Sequence, residues 1–183
     1  MAVKTFSTGE VLTASDTNTY LNNGGLVYIT QYALSSTSNP VSNCFTSTYD
    51  NYYIQIDYTA ASAGTSQLQL RLRASGTDAA TNYYSGINYV TWSGTGGAFG
   101  QNPGTYLYVA NKGSSVKLGV GMEIHGPKLA EYTSFTWWST AQDNAGWNGR
   151  AIHATSAAYD GFDIISDSGN ITGTCYIFGY RKA

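Results

Sequence analysis

Residues 66–73 read SQLQLRLR, and this octet decides the fold class. Leu68, Leu70 and Leu72 fall on one side of an extended chain, and Gln67, Gln69, Arg71 and Arg73 on the other. Strict alternation is the mark of a half-buried β-strand, because successive side chains leave a pleated backbone on opposite faces. A helix of the same residues would scatter its leucines around the barrel.

The same period recurs on both sides of the octet. In 53–58, Ile54, Ile56 and Tyr58 oppose Tyr53, Gln55 and Asp57. In 116–125, Val116, Leu118, Val120, Met122 and Ile124 oppose Lys117, Gly119, Gly121, Glu123 and His125. In 171–180, Ile171, Cys175 and Ile177 oppose Thr172, Thr174, Tyr176, Phe178 and Tyr180. Bulky groups on both faces make this last segment a central strand or a subunit contact. Further strands are expected near 26–34, 82–92, 105–110, 131–139, 149–155 and 161–166. Turn-forming residues punctuate the intervals at 38–40, 74–77, 94–97, 102–104, 111–113 and 167–170, where Gly, Pro, Asn, Asp and Ser gather. Eight to ten short strands at this spacing imply an all-β antiparallel sandwich, most naturally a jelly roll.

Residues 1–25 differ from the rest. Thr13 with Asp16 three positions on is a variant capping box, and Asn22, Asn23, Gly24 and Gly25 would end a helix of about two turns. So short a helix does not hold itself together. Burying Val11, Leu12, Tyr20 and Leu21 yields about 1.5–3 kcal/mol each, against about 1–2 kcal/mol per residue to fix the backbone. The segment must pack on its own sandwich or dock on another chain. The chain therefore divides into an N-terminal attachment arm with a short helix, 1–25, and a β-sandwich body, 26–183.

The composition narrows the function classes. The chain has 183 residues, enough for one domain. Only 11% are charged and the net charge is −2, so Ser, Thr, Asn, Gln and Gly must confer solubility. The nine Lys and Arg are scattered, which speaks against a phosphate-tracking nucleic-acid surface and against an anionic membrane. No apolar run is long enough to insert in a bilayer, and the opening MAVKTFSTGEVLTASD lacks the apolar core of an export signal. Cys44 and Cys175 lie in apolar stretches and are expected as buried thiols; a disulfide between an early and a late strand is the alternative.

Catalytic constellations are not legible. His125 and His153 lack the company of a zinc site, and no G-x-S-x-G elbow exposes a serine. The densest carboxylates are Asp160, Asp163 and Asp167. The first two face opposite ways on a strand, and the third belongs to a turn. No enzymatic activity, cofactor or metal is expected. The aromatic load is the informative feature: 16 Tyr, 6 Phe and 4 Trp exceed what one core needs, and such side chains serve wet interfaces well. Trp92, Phe99, Trp138 and Trp147 stand near turn-rich sequence and are the candidate receptor or subunit contacts. Trp137 and Trp138 must point to opposite faces, so one of them can be core. Stacking on sugar rings and a protein–protein contact are the alternatives for the other.

Three phrases carry a resemblance. TFSTGEVLTASDTNTYL (5–21) resembles the start of many tailed-bacteriophage virion proteins, where a G-E-V-L-T-A phrase leads into a short helix. FTSTYDNYYIQIDY (45–58) with LQLRLRASGTDAATNYY (68–84) is similar to the body of phage minor tail and fibre-like proteins. SDSGNITGTCYIFGYRK (166–182) resembles their closing strand. The resemblance implies a virion surface component with a jelly-roll body, homotrimeric, assembled in the host cytoplasm and attached by its N-terminal segment to tail or capsid proteins. Phe6, Val11, Leu12, Asp16, Tyr20 and Leu21 are the attachment residues it implies. A short tail fibre or tail-tip protein touching host receptor or glycan is the leading expectation. A capsid decoration protein is the alternative, and a free lectin-like carbohydrate-binding module the second.

Overall fold

The structure is a computed structural model that describes residues 7–11, 13, 25–62, 65–113, 118–141 and 145–182. It is an antiparallel β-sandwich. Thirteen strands run in order: β1 Leu26–Leu34, β2 Ser38–Val41, β3 Asn51–Ala61, β4 Thr65–Ala74, β5 Thr77–Asp78, β6 Tyr83–Thr91, β7 Gly96–Gly104, β8 Leu107–Gly113, β9 Leu118–His125, β10 Thr133–Ala141, β11 Ala145–His153, β12 Gly161–Ser166 and β13 Ile171–Tyr180. One sheet has eight strands in the order β1-β13-β3-β9-β10-β11-β6-β7. The other has five, β2-β12-β4-β5, with β8 also on β4. Every ladder is antiparallel.

The pairing is nested. β1 pairs with β13 while β2 pairs with β12. β3 pairs with β13 while β4 pairs with β12, and β3 with β9 while β4 with β8. Whenever the chain crosses from one sheet to the other, its ladder partner crosses too.

The period-two faces are those the sequence implies. Leu68, Leu70 and Leu72 pack inward from β4 against Ile54, Ile56 and Tyr58 of β3 and Leu118, Val120, Met122 and Ile124 of β9, all buried in one core. Each leucine contributes about 1.5–3 kcal/mol on leaving water. β13 is flanked on both sides by strands, a central place in its sheet, and its second bulky face, with Tyr176, Phe178 and Tyr180, stays on the outside of the sandwich. A bulge between Thr172 and Gly173 resets its alternation. Gly173, at φ 155°, leaves no room for a side chain, because a Cβ there would run into the backbone carbonyl of Asp57.

Four turn assignments are corrected in whole or in part, 111–113 being the end of strand β8. Ser38-Asn39-Pro40 belongs to strand β2, and the segments at 94–97 and 102–104 flank or enter strand β7. β2 and β7 are edge strands. An edge tolerates a proline because no neighbour needs its missing N–H, and it gains from being unattractive to further strands. Thirteen strands, rather than eight to ten, result.

The described part of the arm contains a turn, in which Glu10 N–H donates to Ser7 O at 3.0 Å and the Glu10 carboxylate accepts from Ser7 N–H at 3.1 Å. Val11 is 78% exposed. The expected helix, with Asp16, Tyr20 and Leu21, lies outside the described residues, as do Phe6 and Leu12.

Candidate functional site

The four aromatic candidates do not form one site. Trp147 is a correction: it is 4% exposed and belongs to the inner face of β11. It stacks on Tyr89 with ring centroids 4.8 Å apart and meets Tyr108 at 5.7 Å and Phe99 at 5.8 Å. This cluster seals the interior where edge strand β7 faces β8. Phe99 is part of the seal, edge-on to Tyr108 at 4.9 Å, and remains 38% exposed. Trp92 stands 65% exposed at the β6–β7 turn. Trp137 and Trp138 part as their parity requires: Trp137 is buried, its indole N–H donating to Val109 O at 3.0 Å, and Trp138 is 50% exposed on the outer face.

The outer face of the eight-stranded sheet has two characters. Across β1, β13 and β3 it is aromatic. Tyr28 packs edge-on against Phe178 at 5.7 Å, and Phe178 contacts Tyr53 at 6.2 Å. Tyr180 donates its hydroxyl to Glu123 at 2.9 Å, and burial raises the Tyr180 pKa to about 12. Tyr28 remains 53% exposed and Leu26 is exposed beside it.

Across β10, β11, β6 and β7 the same face mixes small and polar residues with the exposed apolar side chains of Val90 and Ile152. One cross-strand row runs Gly121, Trp138, Asn148, Asn88, Ala98; the next runs Glu123, Thr136, Arg150, Gly86, Gly100. The indole of Trp138 lies over Gly121: a Cβ on that glycine would meet Cε2, Cζ2 and Nε1 at 2.5–2.6 Å. The ring therefore rests on backbone with its other face toward water. On the other side of β10 from Gly121, one strand along the row, a groove of about 560 Å³ is lined by Gly86, Asn88, Ala98, Thr136, Asn148 and Arg150 together with Ile87, Phe99, Trp137 and Gly149; Trp138 borders it through its row neighbour Asn148 and does not line it. Among the described residues, the side chains of Asn88, Thr136, Asn148 and Arg150 have no hydrogen-bond or ion-pair partner within the protein. Glu123, the carboxylate in the Arg150 row, is engaged by Tyr180 and lies 3.8 Å from His125.

The remaining titratable groups are structural anchors. Asp163 is buried and accepts from Ser38 Oγ at 2.5 Å and Asn39 N–H at 2.7 Å, with the Arg73 guanidinium at 3.8 Å. Burial raises its pKa despite these donors. Asp160 accepts from Ser75 N–H at 2.8 Å and Asp167 from Gln67 N–H at 2.7 Å, so the three carboxylates brace three separate joints. His153 is buried with Nδ1 3.0 Å from Tyr159 Oη, and burial lowers its pKa. Cys44 and Cys175 are free and buried, and burial pushes the Cys44 thiol up to about 12. No group of three or more His, Cys, Asp or Glu among the described residues is placed to hold a metal ion, and no helix among them is long and apolar enough to cross a membrane.

Asn88, Asn148, Thr136, Arg150 and the supporting Gly121 escaped sequence reading. Each sits at an outward position of a strand, but the register that aligns four strands into one row is set by pairings between distant segments. A scan against protein-family models finds none that matches this chain, and a search of curated protein sequences returns no match.

Proposed function

We propose that this chain is a non-catalytic surface protein of a tailed-bacteriophage virion, with a jelly-roll body, an attachment arm at 1–25, and homotrimeric assembly. The observation that carries the reading is the outer face of the eight-stranded sheet. Nothing among the described residues covers it, and it presents aromatic and small polar groups where a solvated sheet face ordinarily carries charge. The nested ladder pairing supports the jelly-roll assignment, since a jelly roll is a long hairpin wound so that partner strands change sheets together.

The division of that face assigns two tasks. The aromatic band around Tyr28, Phe178 and Tyr53 contacts other copies of the chain. The polar groove beside Trp138 faces outward to a host surface. A tail location follows best from the groove; a capsid decoration role follows if the band clamps capsid subunits and the groove binds nothing.

Immunogold labelling of purified particles with counting of copies tests the reading. A few copies at the tail support the leading form, and hundreds on the head the decoration form. Absence from every particle overturns both. Light scattering gives the assembly state. A Tyr28→Ser/Phe178→Ser chain that scatters as the unchanged protein removes the band as the subunit contact.

A further inference from the structure

We propose that the groove beside Trp138 is a carbohydrate subsite for an anionic polysaccharide, with a sugar ring stacked on the indole and its carboxylate paired with Arg150. The inference deepens the host-facing task assigned above and rests on it.

Three observations converge. The first is the platform. A pyranose presents a flat patch of C–H groups, and an aromatic face that is half exposed and rigidly supported is the complementary surface. Trp138 meets this description because its ring is laid over Gly121, where any larger residue would displace it. The second is the set of unspent polar groups. Asn88 and Asn148 follow Trp138 in one cross-strand row, each offering a donor and an acceptor, and neither is engaged within the described protein. Paired amides at strand spacing suit the vicinal hydroxyls of a sugar. The third is charge. Arg150 is a cation in the groove, and its row carboxylate Glu123 is held by Tyr180 instead. A planar guanidinium with no partner among the described residues matches a carboxylate in two-point geometry. Together these select a uronic-acid or similar acidic ring over a neutral one. The groove is open and shallow, as suits a segment inside a long chain rather than a small molecule engulfed on all sides.

The experiment titrates the purified full chain with tetragalacturonate, with cellotetraose as neutral counterpart and a sulfated disaccharide as a second anion, following intrinsic tryptophan fluorescence and calorimetry. The expected result is binding of tetragalacturonate about tenfold tighter than cellotetraose, weakening with salt. Trp138→Ala should lose at least about tenfold for both sugars. Arg150→Gln should abolish the preference between them while leaving the cellotetraose affinity in place. Gly86→Leu fills the groove floor, and nothing lies within 4 Å of a Cβ there, so the variant folds and stops binding. Equal binding of the sulfated sugar supports an anion subsite read by charge alone and overturns the carboxylate assignment. The subsite falls if no sugar binds up to about 10 mM, or if Gly86→Leu and Trp138→Ala bind as the unchanged chain does. Particle labelling reads the virion role separately: a labelled particle with a flat titration removes the ligand and leaves that role standing.

Discussion

Gly149→Ala should destabilise the sandwich more than any other single methyl addition on β11. Gly149 lies opposite Trp137 in the β10–β11 ladder, and the indole occupies the space a side chain would take. A Cβ would overlap Cζ2, Cε2 and Cη2 of the ring, against an ordinary contact of about 3.5–4 Å, so the ring must retreat by more than about 1 Å. That retreat strains a packed core, at about 1–3 kcal/mol. It also parts the indole N–H from Val109 O, now 3.0 Å away, and leaves buried polar groups unpaired at about 1–3 kcal/mol. The sum is about 2–6 kcal/mol. For a chain of this length each kcal/mol moves the melting temperature by about 2–4 °C, so the fall should lie between about 4 and 24 °C. Gly146→Ala on the same strand is the control, because nothing lies within 4 Å of its Cβ, and it should melt within about 2 °C of the unchanged chain. Near-ultraviolet circular dichroism during heating reads both. Trp137→Phe should absorb most of the Gly149→Ala cost in a double-mutant cycle. Equal melting of the two alanine variants, or a coupling under about 0.5 kcal/mol between positions 137 and 149, refutes the reasoning.

Acid should weaken the fold through His153: burial lowers its folded pKa, so the unfolded chain takes up the proton first. Stability measured by urea titration should be level above about pH 6.5 and decline below it, and His153→Gln should flatten that limb. Asp163→Ala removes the acceptor for Ser38 and Asn39 and should cost about 2–3 kcal/mol in the same assay, with Ser38→Ala costing less. Cys44 and Cys175 should not react with a thiol reagent at about pH 8 until denaturant is added, whereupon both react; native reactivity would contradict their burial.

The fold class was legible because alternation is a local signal. Leu68, Leu70 and Leu72 declare their strand without reference to any neighbour, and the opposite fates of Trp137 and Trp138 follow from adjacency alone. β2 and β7 were not legible as strands because their Pro40, Pro103 and glycines are turn residues by composition, tolerated in strands only at an edge. Edge position is a property of the finished sheet. Trp147 illustrates the same limit: parity separates it from Asn148 but does not say which of the two faces inward. The groove was the least legible element. β11 lies between β10, its neighbour in sequence, and β6, which precedes it by more than fifty positions, so Asn88 and Asn148 become neighbours only once the sheet is assembled.

The place of β13 has a consequence for how this molecule is made. It is synthesised after the other twelve described strands, yet it lies between β1 and β3, two of the earliest of them. Until residue 180 emerges, those two strands hold unpaired backbone edges open, and closing them demands contact between segments about 120–150 positions apart, the span from β3 or β1 to β13, which makes this closure slow. A nascent chain that stalls before Ile171 should therefore be aggregation-prone, whereas losses at the exposed turn of the arm should spare the yield of soluble protein.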